Sequence, residues 1–100
     1  MADALPSELE ILKAAALFSA LAHAGRLRML LALASGEALP AGGLGETAGL
    51  KQTAASHQLR LLKDARLVKT HRDGRKVLYT LCDTHVSHIV RDAIAHIQEE

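Results

Sequence analysis

Residues 51–81 read KQTAASHQLRLLKDARLVKTHRDGRKVLYTL, and a change of rhythm inside this stretch decides the fold. Residues 51–65 repeat at helical spacing and have two faces. Gln52, Ala55, Leu59 and Leu62 form one stripe; Thr53, Ser56, His57 and Arg60 form another, at i, i+3, i+4 and i+7. The first stripe suits packing on a core. The second is hydrogen-bonding but uncharged except for Arg60, whereas an ordinary solvent face is richer in Glu and Lys. Small hydroxyls, an imidazole and a guanidinium suit contacts to phosphates and to base edges in a major groove.

After residue 65 the pattern changes. Asp73-Gly74 lies between two β-prone runs, a strong hairpin signal. Arg72, Arg75 and Lys76 surround the turn. Two strands alone are marginal in water, so this hairpin must lean on the helices.

Upstream, Ser7 is an N-cap candidate with Glu8 and Glu10 in the first turn, and Leu9, Leu12, Ala16 and Ala20 follow at helical spacing. A second helix is predicted from about Ala24 to Ala34, with Leu27, Leu30, Leu31 and Ala34 on one face, ending at Ser35-Gly36. Pro40 and Gly42-Gly43 punctuate the chain. A short third helix covers about Leu44 to Ala48, with Gly49 as its C-cap. The last helix runs from about Thr84 to Gln98, with Val86, Ile89, Val90, Ala93, Ile94 and Ile97 as its apolar stripe. The expected fold is mainly α with a β-hairpin: one winged helix-turn-helix domain over residues 1–100. Its polar-faced helix would enter the major groove of double-stranded DNA, and the wing's cations would reach flanking phosphates.

Charge distribution points the same way. The net charge is +1, but residues 51–76 carry eight basic and two acidic side chains, while both flanks are acidic. A concentrated basic segment is an electrostatic footprint for phosphate. Only Phe18 and Tyr79 are aromatic, too few for a platform that stacks single-stranded bases. The single cysteine, Cys82, excludes an internal disulfide framework and fits a cytoplasmic location. There is no signal-peptide pattern and no run near the ~20 apolar residues of a membrane span.

LAHAGRLRMLLAL, residues 21–33, resembles the second-helix signature of the ArsR/SmtB family of bacterial metal-responsive repressors. TAASHQLRLLKDARLVKTHRDGRKVLYTL, residues 53–81, resembles that family's recognition helix and wing, and the likeness runs from about residue 12 to 100. The resemblance implies a homodimer, joined through its first and last helices, that holds a two-fold symmetric operator when metal-free and releases it on binding inducer. One family site needs a cysteine in the loop before the third helix, where this chain has ALPAGG. A second family site lies on the last helix with the pattern Asp-x-His-x10-His-x2-Glu or His, which Asp83, His85, His96 and Glu99 match. Lys51 departs from the small hydroxyl often found before the recognition helix and is a poor N-cap.

Geometry constrains how those four residues would meet one ion. His85 and His96 are eleven residues apart. On an α-helix that puts them about 20° apart around the axis and ~16 Å apart along it. A Zn–N bond is only ~2.0–2.1 Å, so one helix cannot bring both to one ion. An antiparallel partner helix solves this, because a two-fold axis sets Asp83 and His85 of one chain against His96 and Glu99 of the other. Two imidazoles and two carboxylates suit Zn²⁺, with Co²⁺ as a mimic, and leave no open position for catalytic water. Each residue also has an ordinary role open to it. Asp83 is a good N-cap, Glu99 is near a fraying end, and either histidine can simply face solvent. His88 is an alternative ligand or a solvent-facing residue. The expected function is a zinc-responsive, non-enzymatic transcriptional repressor. The alternative is a repressor of the same fold that answers to nickel or cobalt, to redox change through Cys82, or to no metal.

Overall fold

Ser7 opens the first helix with a reciprocal cap. Its Oγ accepts the Glu10 amide (3.1 Å) and its own amide donates to Glu10 Oε1 (2.9 Å). The computed structural model describes residues 4–99. In chain order its elements are α1 (Glu8–Leu21), α2 (Ala24–Leu33), β1 (Leu39–Pro40), α3 (Ala41–Ala48), α4 (Gln52–Asp64), β2 (Val68–Asp73), β3 (Lys76–Leu81) and α5 (Thr84–Gln98).

α1 leaves much of its apolar surface open: Leu9, Leu12 and Phe18 are 61%, 57% and 59% exposed. Only its C-terminal part packs inward, through buried Leu21 and partly buried Leu17 and Ala20. The chain then bends by 97° into α2. This helix is the centre of the molecule, touching all four other helices and β3. That placement corrects the single apolar face expected for it. Met29 and Leu33 are as fully buried as Leu30, whereas Leu27 and Leu31 are only partly covered. A helix enclosed on several sides buries more than one stripe.

The segment before α3 also differs from expectation. Leu39 and Pro40 pair antiparallel with Tyr79 and Leu78, giving a three-stranded sheet in the order β1-β3-β2. Pro40 is tolerated because β1 is an edge strand and the chain turns into a helix at once. α3 starts at Ala41, three residues earlier than predicted, and takes Gly42 and Gly43 into its first turn. It ends as predicted at Gly49, in the left-handed region at φ 70°.

α3 and α4 form the helix-turn-helix, and Gly45 sets how closely they pack. A Cβ on Gly45 would lie 2.9 Å from Ala55 Cβ, a distance that methyl groups do not tolerate. Gly45→Ala is therefore expected to destabilise the fold by about 1–3 kcal/mol, the usual cost of overpacking. A denaturant titration at fixed protein concentration checks this; an unchanged midpoint would show that the helices slide apart freely.

α4 ends in a Schellman turn built on a non-glycine residue. Arg66 has φ 61°, its amide donates to Lys63 O, and the Leu67 amide donates to Leu62 O, both at 3.0 Å. Buried Leu62 and Leu67 add the apolar contact that accompanies this turn. The hairpin register runs from Val68↔Leu81 to Asp73↔Lys76. Gly74 and Arg75 therefore form the two-residue loop. Only Gly74, at φ 67°, is left-handed there. That is the pattern of a type II′ turn, with glycine first, rather than of the type I′ turn with two left-handed residues.

Candidate functional site

α4 presents the two faces expected of it. Ala55, Leu59 and Leu62 are 2%, 0% and 0% exposed and anchor the helix. Thr53, Ser56, His57 and Arg60 all face solvent on the opposite side. Gln52, placed by spacing on the apolar stripe, is exposed as well, because it is the first helical residue and projects past the core. Lys51 occupies the N-cap position without a side-chain cap, as its chemistry suggests, and α4 starts at Gln52 all the same. Its carbonyl accepts the Ala55 amide at 2.8 Å, the backbone bond that starts the helix.

Beyond α4, the hairpin carries Arg72 and Arg75 to its tip, both exposed. The strand register places Arg72 opposite Val77, with Arg75 in the loop itself. The two expected DNA-contact groups are thus carried by different elements, α4 and the wing. Sequence reasoning missed the residue that fixes α4 against the rest: Arg26 of α2. Its Nε donates to Gln58 Oε1 of α4 (2.5 Å) and its Nη1 to the Ala20 carbonyl of α1 (3.1 Å). No sequence spacing signals a contact between residues so far apart in the chain.

The four metal-ligand candidates fall at the two ends of α5. Asp83 is its N-cap, and its Oδ1 accepts the Val86 amide at 3.1 Å. His85 is exposed in the first turn. His96 is exposed in the last turn, and Glu99 is the C-cap. Among the described residues, no three of His, Cys, Asp or Glu come together within reach of one ion. Asp83 and His85 therefore share one end of the helix, and His96 and Glu99 the other. His88 faces solvent.

Cys82, half-buried beside Asp83, has its thiol pushed up from the ordinary value. Burial is the main cause and the Asp83 carboxylate adds to it, against weaker opposing pulls from Lys69 and Arg66. A thiol held protonated is a poor nucleophile and a poor redox sensor. Iodoacetamide is expected to alkylate Cys82 more slowly than free glutathione at pH 8; faster alkylation would contradict that.

A helix-turn-helix with a cation-tipped hairpin and a polar, solvent-facing second helix defines a winged-helix nucleic-acid-binding fold. A family model described as a helix-turn-helix domain matches residues 21–71. A transcriptional repressor SmtB homolog from Synechocystis is 46% identical over 82 residues, which are 82% of this chain and 61% of that protein. The regulator NmtR from Mycobacterium tuberculosis is 44% identical over 82 residues, 82% of this chain and 68% of that protein. This chain thus spans about three fifths and two thirds of the lengths of those two relatives. Among solved structures, a homodimeric winged helix-turn-helix DNA-binding domain, Mb0332 from Mycobacterium bovis, is described as a possible ArsR-family regulator. It superposes with a TM-score of 0.83 at 26% identity, covering 99% of this chain and 92% of that one. The chain belongs to the ArsR/SmtB family of winged helix-turn-helix transcriptional regulators, which are DNA-binding proteins rather than enzymes. No single helix among the described residues is long and apolar enough to cross a membrane.

Proposed function

We propose that this protein is a zinc-responsive transcriptional repressor that binds a two-fold symmetric operator as a metal-free homodimer. The observation that carries the DNA-binding part is the α4 surface. Four hydrogen-bonding side chains face solvent on one side of a helix whose other side is fully buried, so the helix is rigidly held with its polar face free. Thr53, Ser56, His57 and Arg60, with Gln52 at the helix start, would contact bases and phosphates. Arg72 and Arg75 would hold phosphates beside the groove. Replacing both wing arginines by alanine is expected to weaken binding to all sequences alike. It should also flatten the salt dependence by about 0.9 in log–log slope per lost phosphate contact. Unchanged slope in anisotropy titrations would remove the wing from the interface.

The dimer part rests on exposed apolar surface. Leu9, Leu12 and Phe18 on α1, and Ile97 at 57% exposure on α5, are large side chains left in water by a single chain. Burying a Leu or Phe contributes about 1.5–3 kcal/mol, so a second copy covering these helices is strongly favoured. An antiparallel α5 pair would bring Asp83 and His85 against His96 and Glu99 twice per dimer.

The donor set fits zinc: two imidazoles and two carboxylates, all on exposed side chains, with no need for sulfur. When bound, zinc would cross-link the last helices of the two chains and do no redox or hydrolytic chemistry. His85 and His96 would ligate as neutral imidazoles. Asp83 would exchange its N-cap bond to the Val86 amide for a metal bond, or share its two oxygens between them. Release of DNA then requires that α5 favour zinc more in a DNA-incompetent dimer than in the competent one. By reciprocity, operator DNA would weaken zinc binding by the same factor. The test is operator affinity, measured with and without Zn²⁺, on a duplex selected from a random-sequence pool by the metal-free protein. Tenfold or greater weakening by zinc supports the assignment. Equal affinity in both conditions sinks the zinc part, and salt-independent or absent binding sinks the DNA part.

A further inference from the structure

α2 is gripped at both ends by side chains of opposite provenance. At its N-terminal end its own Arg26 bonds to Gln58 of α4 (2.5 Å) and to the Ala20 carbonyl of α1 (3.1 Å). At its C-terminal end the Ala34 carbonyl accepts from Arg91 Nη2 of α5 at 2.6 Å and from Ser87 Oγ at 3.4 Å. α2 has no basic residue in its own last turn, so Arg91 supplies the cation that a helix C-terminus favours. Between the two grips lie Met29, Leu30 and Leu33, with 0–1% exposure. Close packing of these three side chains resists local compression and lets strain pass along the helix.

Connectivity gives this helix a role. Among the described residues, α5 packs substantially on α2 and β3, while α4 and α5 share no comparable contact. A displacement of α5 can therefore reach α4 within one chain by two routes, through α2 or through β3 and β2, and the α2 route is the one with a guanidinium grip at each end. We propose that α2 is a lever between α5 and the recognition helix, with Arg91 as the positioning residue at one end and the Arg26–Gln58 pair at the other. Both grips use a guanidinium donating to an oxygen, the stronger and more directional kind of hydrogen bond. Gln58 is half-buried and follows His57 in sequence, so its bond to Arg26 adds a polar restraint on the rotation of α4 to the apolar anchor of Ala55, Leu59 and Leu62. The purpose of the lever rests on the zinc-responsive function proposed above, but its existence is testable without metal.

The experiment is a double-mutant cycle on the metal-free dimer of this chain, using Arg91→Met, Gln58→Met and the pair together. Operator affinity is read on the selected duplex, and amide hydrogen exchange is followed at Leu59–Leu62. If the grips are coupled, Arg91→Met weakens operator binding by about five- to tenfold, within the usual range of coupling between sites. It also speeds exchange in α4. In the Gln58→Met background the same change has less than about a twofold effect on affinity, the non-additivity that marks coupled residues. Gln58→Glu keeps an acceptor for Arg26 and restores the sensitivity to Arg91→Met. Should Arg91→Met fail to fold, Arg91→Lys, which keeps the charge but not the two-nitrogen head, takes its place in the cycle. Equal losses in both backgrounds, or an Arg91 substitution that leaves α4 exchange and operator affinity unchanged, overturns the lever and makes the two grips independent structural contacts. Failure of zinc to release the operator would overturn the inducer assignment and leave this result standing.

Discussion

His96→Ala is expected to stay on the operator at zinc concentrations that release the wild-type protein. Couplings of this kind typically span 5- to 150-fold in affinity, and the variant should retain less than about a twofold response. The size follows from where His96 sits. It is exposed in the last turn of α5, so removing its imidazole opens no cavity within the chain, and metal-free operator affinity measured on the same variant checks that the dimer is kept. What is lost is one of two nitrogen donors at each proposed site, and with it the preference for the DNA-incompetent dimer. A ligand without that preference shifts nothing, however tightly it binds. Co²⁺ titration provides the matching spectroscopic check on the wild type: a tetrahedral spectrum, two ions per dimer and no thiolate band. A variant that still releases DNA on zinc addition, or a strong sulfur band in the wild type, would place the sensing site elsewhere.

Leu59→Ala is expected to have the largest effect on stability. Leu59 is completely buried on the core side of α4, in one cluster with Leu30, Leu44 and Leu62. Truncating such a leucine removes transfer free energy and leaves a cavity, together about 3–4 kcal/mol. Domains of this size have roughly 5–15 kcal/mol in total, so much of the folded margin would go. The check is denaturant unfolding at fixed protein concentration, because dimerisation adds its own concentration-dependent term. Operator binding should fall with it, since α4 loses the anchor that holds its polar face outward. A loss below about 1 kcal/mol would mean that the helix repacks over the gap.

Much of this architecture was legible from local chemistry. The Ser7 cap, the extent of α5 from Thr84 to Gln98 and the C-terminal end of α3 at Gly49 all follow from short-range rules, and the structure carries them unchanged. The two faces of α4 were legible because a surface helix buries one stripe. α2 was misjudged for the complementary reason: it is enclosed, so Met29 and Leu33 pack where an amphipathic pattern would leave them partly covered. β1 was missed because two residues make a strand only when another strand is there to pair with, and Pro40 argues against one locally. The Arg26–Gln58 contact joins residues 32 apart in sequence, which no periodicity marks.

The candidate site divides along the same line. Sequence alone determined which residue types lie on which helix face and that His85 and His96 are too far apart for one helix to join at one ion. Helical rise and rotation dictate both once the helix is granted. Only the tertiary structure decided that Asp83 already spends an oxygen on the Val86 amide, that α1 leaves its large apolar side chains in water, and that α2 touches both α5 and α4. Those facts depend on which surfaces meet after the chain folds back on itself. Neighbouring residues do not encode such meetings, because the free energy that selects them is shared across the whole core.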